Sequence, residues 1–202
     1  MLLTVKTNFP DVERALSRLR ADVQNKALSS AINKTMDFAS TTMVRQITSE
    51  FNVKAAYVRE RLRIRRAVSL GSGSLTAALI GGKSDRGRSA NIIAFVENKV
   101  TLAEGRRRAK AGTQRSLFVK VKRASAPRAL KGAFIGNKGR TVFRRTGKER
   151  LPIEPVQVID VAQIFNTKRI NTQVVQAITK RFPVIAEREI RFFVDRFNRG
   201  GR

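Results

Sequence analysis

The chain reads as an α+β protein in which an antiparallel β-sheet is flanked by long N- and C-terminal helices. Three observations predict this. Apolar residues recur every three or four positions toward both ends of the 202-residue sequence, the middle breaks into short β-prone runs separated by glycine-rich turns, and no fixed-period repeat or clean linker divides the whole. Residues 1–202 are therefore expected to form a single domain, with a mobile basic loop at 104–114.

Pro10 is well placed as a first helical residue, with Asp11 and Glu13 beside the positive end of the helix dipole. After it, Val12, Leu16, Leu19, Val23, Ala27, Ile32, Phe38 and Ile47 keep mostly helical spacing, so one long helix or two collinear ones should run from 10 to about 50. Asn52 is the expected cap of a short basic helix over about 54–62. Arg61-Leu62-Arg63-Ile64-Arg65 then alternates with the period of a strand, which marks the switch to β.

Seven runs are expected as strands: 67–70, 75–80, 92–96, 116–121, 129–135, 140–144 and 151–158. Glycine-bearing turns at 71–73, 81–87, 136–139 and 147–148 separate several of them. Within these runs Phe134 and Phe143 are expected to point toward the helices. The helical pattern returns at Asp160, first in a short piece carrying Val161, Ile164 and Phe165. A longer helix should span about 171–198 on Val174, Ile178, Phe182, Ile185, Phe193 and Phe197, bent or interrupted at Pro183.

Charge carries the functional signal. The chain has 42 Lys and Arg against 15 Asp and Glu, a formal net charge of +27, with no histidine, cysteine or tryptophan. So large a charge repels itself in a compact state and persists where a polyanion supplies the counter-charge, nucleic acid being the commonest such partner. Twelve Phe and 42% hydrophobic residues argue against a disordered basic tail. The missing side chains exclude disulfides, thiolate catalysis and Cys-ligated zinc, and remove the commonest general base and metal ligand. No cofactor is implied and no enzyme is expected. No run approaches the length of a membrane span, and the first five residues reach Lys6 before a signal peptide could form, so no membrane partner is expected either.

The basic excess concentrates between residues 105 and 150, where sixteen Lys or Arg meet one acid, Glu149. Arg106, Arg107, Arg108 and Lys110 sit among glycine and alanine, while Lys120 and Lys122 alternate with Val119 and Val121 and so share one strand face. Together with Arg115, Arg123, Arg128 and Lys131 they are the candidate DNA-binding residues. With one Tyr and no Trp to stack on bases, contact is expected with phosphates and without sequence preference. Other motifs fall short. Gly81-Gly82-Lys83-Ser84 ends like a phosphate-binding loop but has Ala77 where its first glycine belongs, and Gly71-Ser72-Gly73 has Thr76 in place of a third glycine. Glu187 and Glu189 are two apart on a helix and suggest no acid–base pair.

The order of five segments adds to this reading. Ala31-Ile32-Asn33-Lys34-Thr35, Phe51-Asn52-Val53-Lys54-Ala55-Ala56-Tyr57-Val58-Arg59, Gly132-Ala133-Phe134-Ile135, Val142-Phe143-Arg144-Arg145 and Arg150-Leu151-Pro152-Ile153 together resemble the minor tail protein Z family of tailed bacteriophages and prophages. The resemblance runs from about 27 to 197 and rests on shared order and spacing; residues 91–101 are less like the family pattern. It implies a structural virion protein that completes the head-proximal end of the tail or the head–tail joint, assembled in the host cytoplasm. The implied partners are other tail or neck proteins, packaged double-stranded DNA and further copies of the chain in a homo-oligomeric ring. Subunit contacts are then expected at strand edges and on the apolar faces of the terminal helices. A cellular RNA- or DNA-binding protein is the rival that composition alone supports. A nuclease would have to draw its metal-binding carboxylates from Asp85, Glu97 and Glu104.

Overall fold

A computed structural model describes residues 2–3, 10–17, 21–68, 75–82, 90–99, 102–112, 116–147, 149 and 151–200. Its frame is a pair of long helices, α2 over Ala21–Glu50 and α6 over Lys168–Gly200, with the shorter α1 over Pro10–Ser17 packed beside α6. Buried residues on α2 follow a four-residue beat: Val23, Ala27, Ala31, Thr35, Ala39, Met43 and Ile47. Each four-residue step overshoots a full turn by about 40°, so this line winds around the helix and buries it against several partners in succession. Those partners are α6, then the strands and short helices of the chain's middle. Ile32 and Phe38, expected on the core line, lie beside it and are half-buried.

The long helices run antiparallel. Glu50 at the end of α2 accepts a 2.5 Å ion pair from Arg169 near the start of α6. Toward the other end of the pair, Glu189 of α6 accepts from Ser30 Oγ at 2.7 Å and from Lys34 Nζ at 2.6 Å. Small residues Ala27, Ala31, Thr35 and Ala39 let the backbones approach, and the buried Thr35 hydroxyl is satisfied by the carbonyl of Ala31. The helix α6 continues through Pro183 without interruption.

The strands divide into four small antiparallel sheets among the described residues, where one sheet was expected. The α+β class holds. β2 (Leu62–Arg65) pairs with β3 (Ala78–Gly81), which also receives β1 (Leu2–Leu3). β4 (Ala90–Asn91) pairs with β10 (Gln157–Val158), and β5 (Leu117–Val119) pairs with β6 (Arg128–Leu130). β7 (Ala133–Gly136), β8 (Thr141–Arg145) and β9 (Ile153–Pro155) form the last sheet in that order. Three asparagines tie these pieces together by offering an amide where a peptide would stand. Asn33 exchanges two hydrogen bonds with the backbone of Ala67, Asn91 does the same with Val142, and Asn98 donates to Ser116 O while accepting from Phe118 N.

Several local expectations are corrected. Residues 92–96 form a 3-10 helix over Ile92–Phe95, because the Asn91 side chain caps Ile93 N and all of Ile92, Phe95 and Val96 can be buried in that geometry. The run 67–70 is not a strand at Ala67 and Val68; residues 69 and 70, like the turn at 71–73 and residues 83–89, lie outside the described residues. The short helix α3 spans Ala55–Arg59 and begins after Lys54, with Asn52 instead joined through its backbone to Val121. The helical pattern does return at Asp160, which caps α5 (Val161–Phe165) in a reciprocal box with Gln163.

Phe134 and Phe143 do not face the helices. They are cross-strand partners stacked on the outer side of the β7–β8–β9 sheet with ring centroids 6.0 Å apart, while Ala133 and Val142 occupy the core side. The Phe143 ring fills the space over Gly136, and the Arg145 guanidinium lies 5.2 Å from the centre of the Phe134 ring. Half-burial here comes from aromatic, glycine and cation contacts and not from the core.

Candidate nucleic-acid interface

The basic segment 104–114 is not a loop over its first part. A helix, α4, spans Leu102–Lys110 and rests beside β7. Its helical state has a local cause: Glu104 pairs with Arg107 at 3.0 Å and with Arg108 at 2.6 Å, the three- and four-residue spacings that face each other on a helix. The hydrogen bond from Arg108 and the charge of Arg107 hold the Glu104 carboxyl below its ordinary range. Two of the arginines expected to lack compensation are therefore partly neutralised by the acid just before the basic run. Arg106 lies on the same helix, and Lys110 is exposed at its end. Arg115 lies outside the described residues.

The second group stands on the β5–β6 ribbon. Leu117 and Val119 are buried, Phe118 is exposed, Val121 packs against the core and Lys122 is exposed, so the expected alternation is present. Lys120 is half-buried and donates its backbone N–H to Phe95 O at 3.0 Å. Arg128 opens β6 opposite Val119, and Lys131 stands exposed in the turn that leads through Gly132, at φ +69°, into β7. Because α4 lies beside β7, the turn with Lys131 joins the two basic groups through one short strand.

Arg123 serves the fold. Its Nε donates to Thr48 O at 2.6 Å and its backbone N–H to Glu50 O at 2.9 Å, capping carbonyls at the negative end of α2. Sequence reasoning also passed over basic residues that the structure exposes. Arg65 points outward from β2 while Leu62 and Ile64 turn inward, a consequence of the strand alternation read in that segment. Lys138, Arg140, Arg144 and Arg145 are exposed around the β7–β8 hairpin, with Lys138 at φ 52° in its turn.

The arrangement can bind anions but offers little for metal chemistry. Glu104 is taken by two arginines, Glu97 accepts a weak hydrogen bond from Asn52 at 3.4 Å, and Asp85 lies outside the described residues. No cluster of three potential metal-ligating acids occurs among the described residues, and no described helix is long and apolar enough to cross a membrane.

Comparison with curated proteins and with solved structures gives no match. Comparison with protein families matches prophage minor tail protein Z over residues 11–196. That span includes both long helices nearly to their ends, all three asparagine clamps and both basic groups. The chain therefore belongs to the prophage minor tail protein Z family and is a structural component of a phage or prophage tail.

Proposed function

We propose that this minor tail protein completes the head-proximal end of the tail or the head–tail joint, as a homo-oligomeric ring around the path of the packaged DNA. It assembles in the host cytoplasm with other tail or neck proteins and holds the duplex through phosphates without reading its sequence. The observation that carries this reading is the excess of sixteen basic residues over one acid between positions 105 and 150. The exposed Lys110, Lys122, Arg128 and Lys131 belong to that segment. A ring would present this surface several times around one axis, turning a self-repelling charge into a lining for a polyanion. Phosphate contacts hold a DNA end without fixing its sequence, as a genome that must later leave requires.

The test is binding of purified protein to duplex DNA across a salt series. Affinity should fall steeply, with a slope of log affinity on log salt of about −0.9 per neutralised phosphate. Replacing Lys110, Arg128 and Lys131 by Gln should weaken binding to all sequences alike and flatten the slope by about one per lost contact. Absence of binding at low ionic strength, or binding insensitive to salt, would contradict the DNA contact.

A further inference from the structure

Phe118 is the one described aromatic on the β5–β6 ribbon, and it is 41% exposed. Its position is not a frayed edge. On one side it pairs with Ala129 of β6; on the other its N–H donates to Asn98 Oδ1 at 2.7 Å and its carbonyl accepts from Glu97 N at 3.0 Å. The residue is therefore held in the middle of a ribbon three segments wide, and its cross-strand partner is too small to cover the ring. Its neighbours Leu117 and Val119 already supply the buried contacts of this strand, so the outward ring adds nothing to the core.

Lys120 follows β5 directly and is half-buried, and Lys131 stands exposed in the turn directly after β6. Glu97, the exposed residue opposite Phe118 on that side, accepts a hydrogen bond from Asn52 Nδ2 at 3.4 Å. An exposed aromatic ring on a backbone held from both sides, with Lys120 and Lys131 in the segments that follow β5 and β6, suits a nucleotide whose base is unpaired: the ring stacks on the base, and the lysines meet neighbouring phosphates. A duplex can offer a base face to the ring only by unstacking a step, at a cost of about a few kcal/mol, whereas an unpaired base is already free to stack.

We infer that the outer face of β5–β6 binds single-stranded DNA, with Phe118 stacking on an unpaired base and Lys120 and Lys131 contacting the flanking phosphates. This inference rests on the reading of the chain as a DNA-contacting tail protein and adds the form of DNA that the face prefers. Fluorescence anisotropy of the full chain with labelled oligothymidylate and with a duplex of equal length tests it. Phe118→Leu, which keeps an apolar side chain but removes the stacking plane, should weaken binding of the single strand about tenfold and leave the duplex within about twofold. Phe118→Trp should retain or strengthen single-strand binding, and Lys120→Gln with Lys131→Gln should weaken both forms. An unchanged melting temperature in Phe118→Leu excludes a folding defect as the cause. Equal loss on both DNA forms, or no loss on the single strand, overturns the inference while leaving the duplex contact standing. Binding of neither form by the wild-type chain overturns both. Defective tail incorporation of Phe118→Leu with undiminished single-strand binding would assign the ring to a protein partner and also overturn it.

Discussion

Replacing Phe165 by alanine should destabilise the protein by about 3–5 kcal/mol, the largest single-residue effect expected here and a large share of a domain's total stability. Phe165 is 1% exposed at the end of α5 and lies where α5 meets β3. Its ring sits so close to Gly81 that a Cβ there would stand 2.9 Å from Phe165 Cγ and 3.0 Å from Phe165 Cβ. Gly81→Ala should therefore cost about 1–3 kcal/mol through overpacking, because one of the crowded atoms belongs to the stem of the ring and cannot swing aside. The two changes should not add. With Phe165 truncated, the new methyl group at Gly81 occupies part of the vacated space, so the double variant should be more stable than the sum of the single losses by about 0.5–3 kcal/mol. Chemical denaturation of the four proteins checks the cycle, and strict additivity would show that the contact does not limit packing.

The second large effect concerns the polar lock between the long helices. Lys34→Met should cost about 2–3 kcal/mol at neutral pH, because it leaves the buried Glu189 carboxylate with only Ser30; the value sits below that of a fully buried pair since the Lys34 side chain is 57% exposed. Glu189→Gln should cost less, because the lysine it abandons can turn to water. Burial pushes the Glu189 carboxyl up, but hydrogen bonds from Lys34 and Ser30 and the charges of Lys34 and Arg188 together hold it below its ordinary value. A carboxyl depressed in the folded state contributes its stability above the unfolded value and loses it as pH falls through the folded one. The wild-type chain should accordingly keep this contribution at neutral pH and lose it only below the ordinary carboxylate range. In Lys34→Met the main opposition to burial is gone, so the carboxyl moves up and the variant's deficit should shrink as acid protonates it. Melting temperatures across a pH series check this, and a deficit independent of pH would contradict the lock.

The helical frame was legible because it is written in local spacing. Three- and four-residue recurrence on α2 and α6, alternation along β2 and the return of helical spacing at Asp160 all act within a few residues. The apolar run at 92–96 was not legible as a 3-10 helix, since a short continuous apolar stretch suits a strand or a helix equally and the deciding bond comes from the Asn91 side chain. Alternation at Phe134 and Phe143 separates two strand faces but does not say which is inside; the core side went to Ala133 and Val142, and the rings stacked outside. Nor does local sequence show that β4 pairs with β10 or β1 with β3, pairings between segments far apart in the chain that divide the strands into small sheets.

The candidate site was legible as a charge distribution and less so as a surface. Arg107 and Arg108 were expected to stand free of acids, yet Glu104, one residue before the basic window, reaches both once the segment coils into α4. Arg123 reads as one more surface cation, but its guanidinium is directed to the last turn of α2. Phe118 carried no signal of exposure among twelve phenylalanines until its neighbours Leu117 and Val119 were placed in the core. The Pro at the end of β9, Pro155, has no N–H to donate, and such a residue blunts a sheet edge against pairing.

The most direct test of the proposed role is electron microscopy of phage particles assembled with and without this protein. With it, density for a closed ring should surround the DNA path at the head-proximal end of the tail, with α4 and the β5–β6 ribbon turned toward the lumen. Without it, complete heads should stand beside complete tails that fail to join or that form non-infectious particles with the genome end unseated. Density for the protein at the distal tip or along the outside of the tail, or normal joining and DNA placement in its absence, would contradict the account.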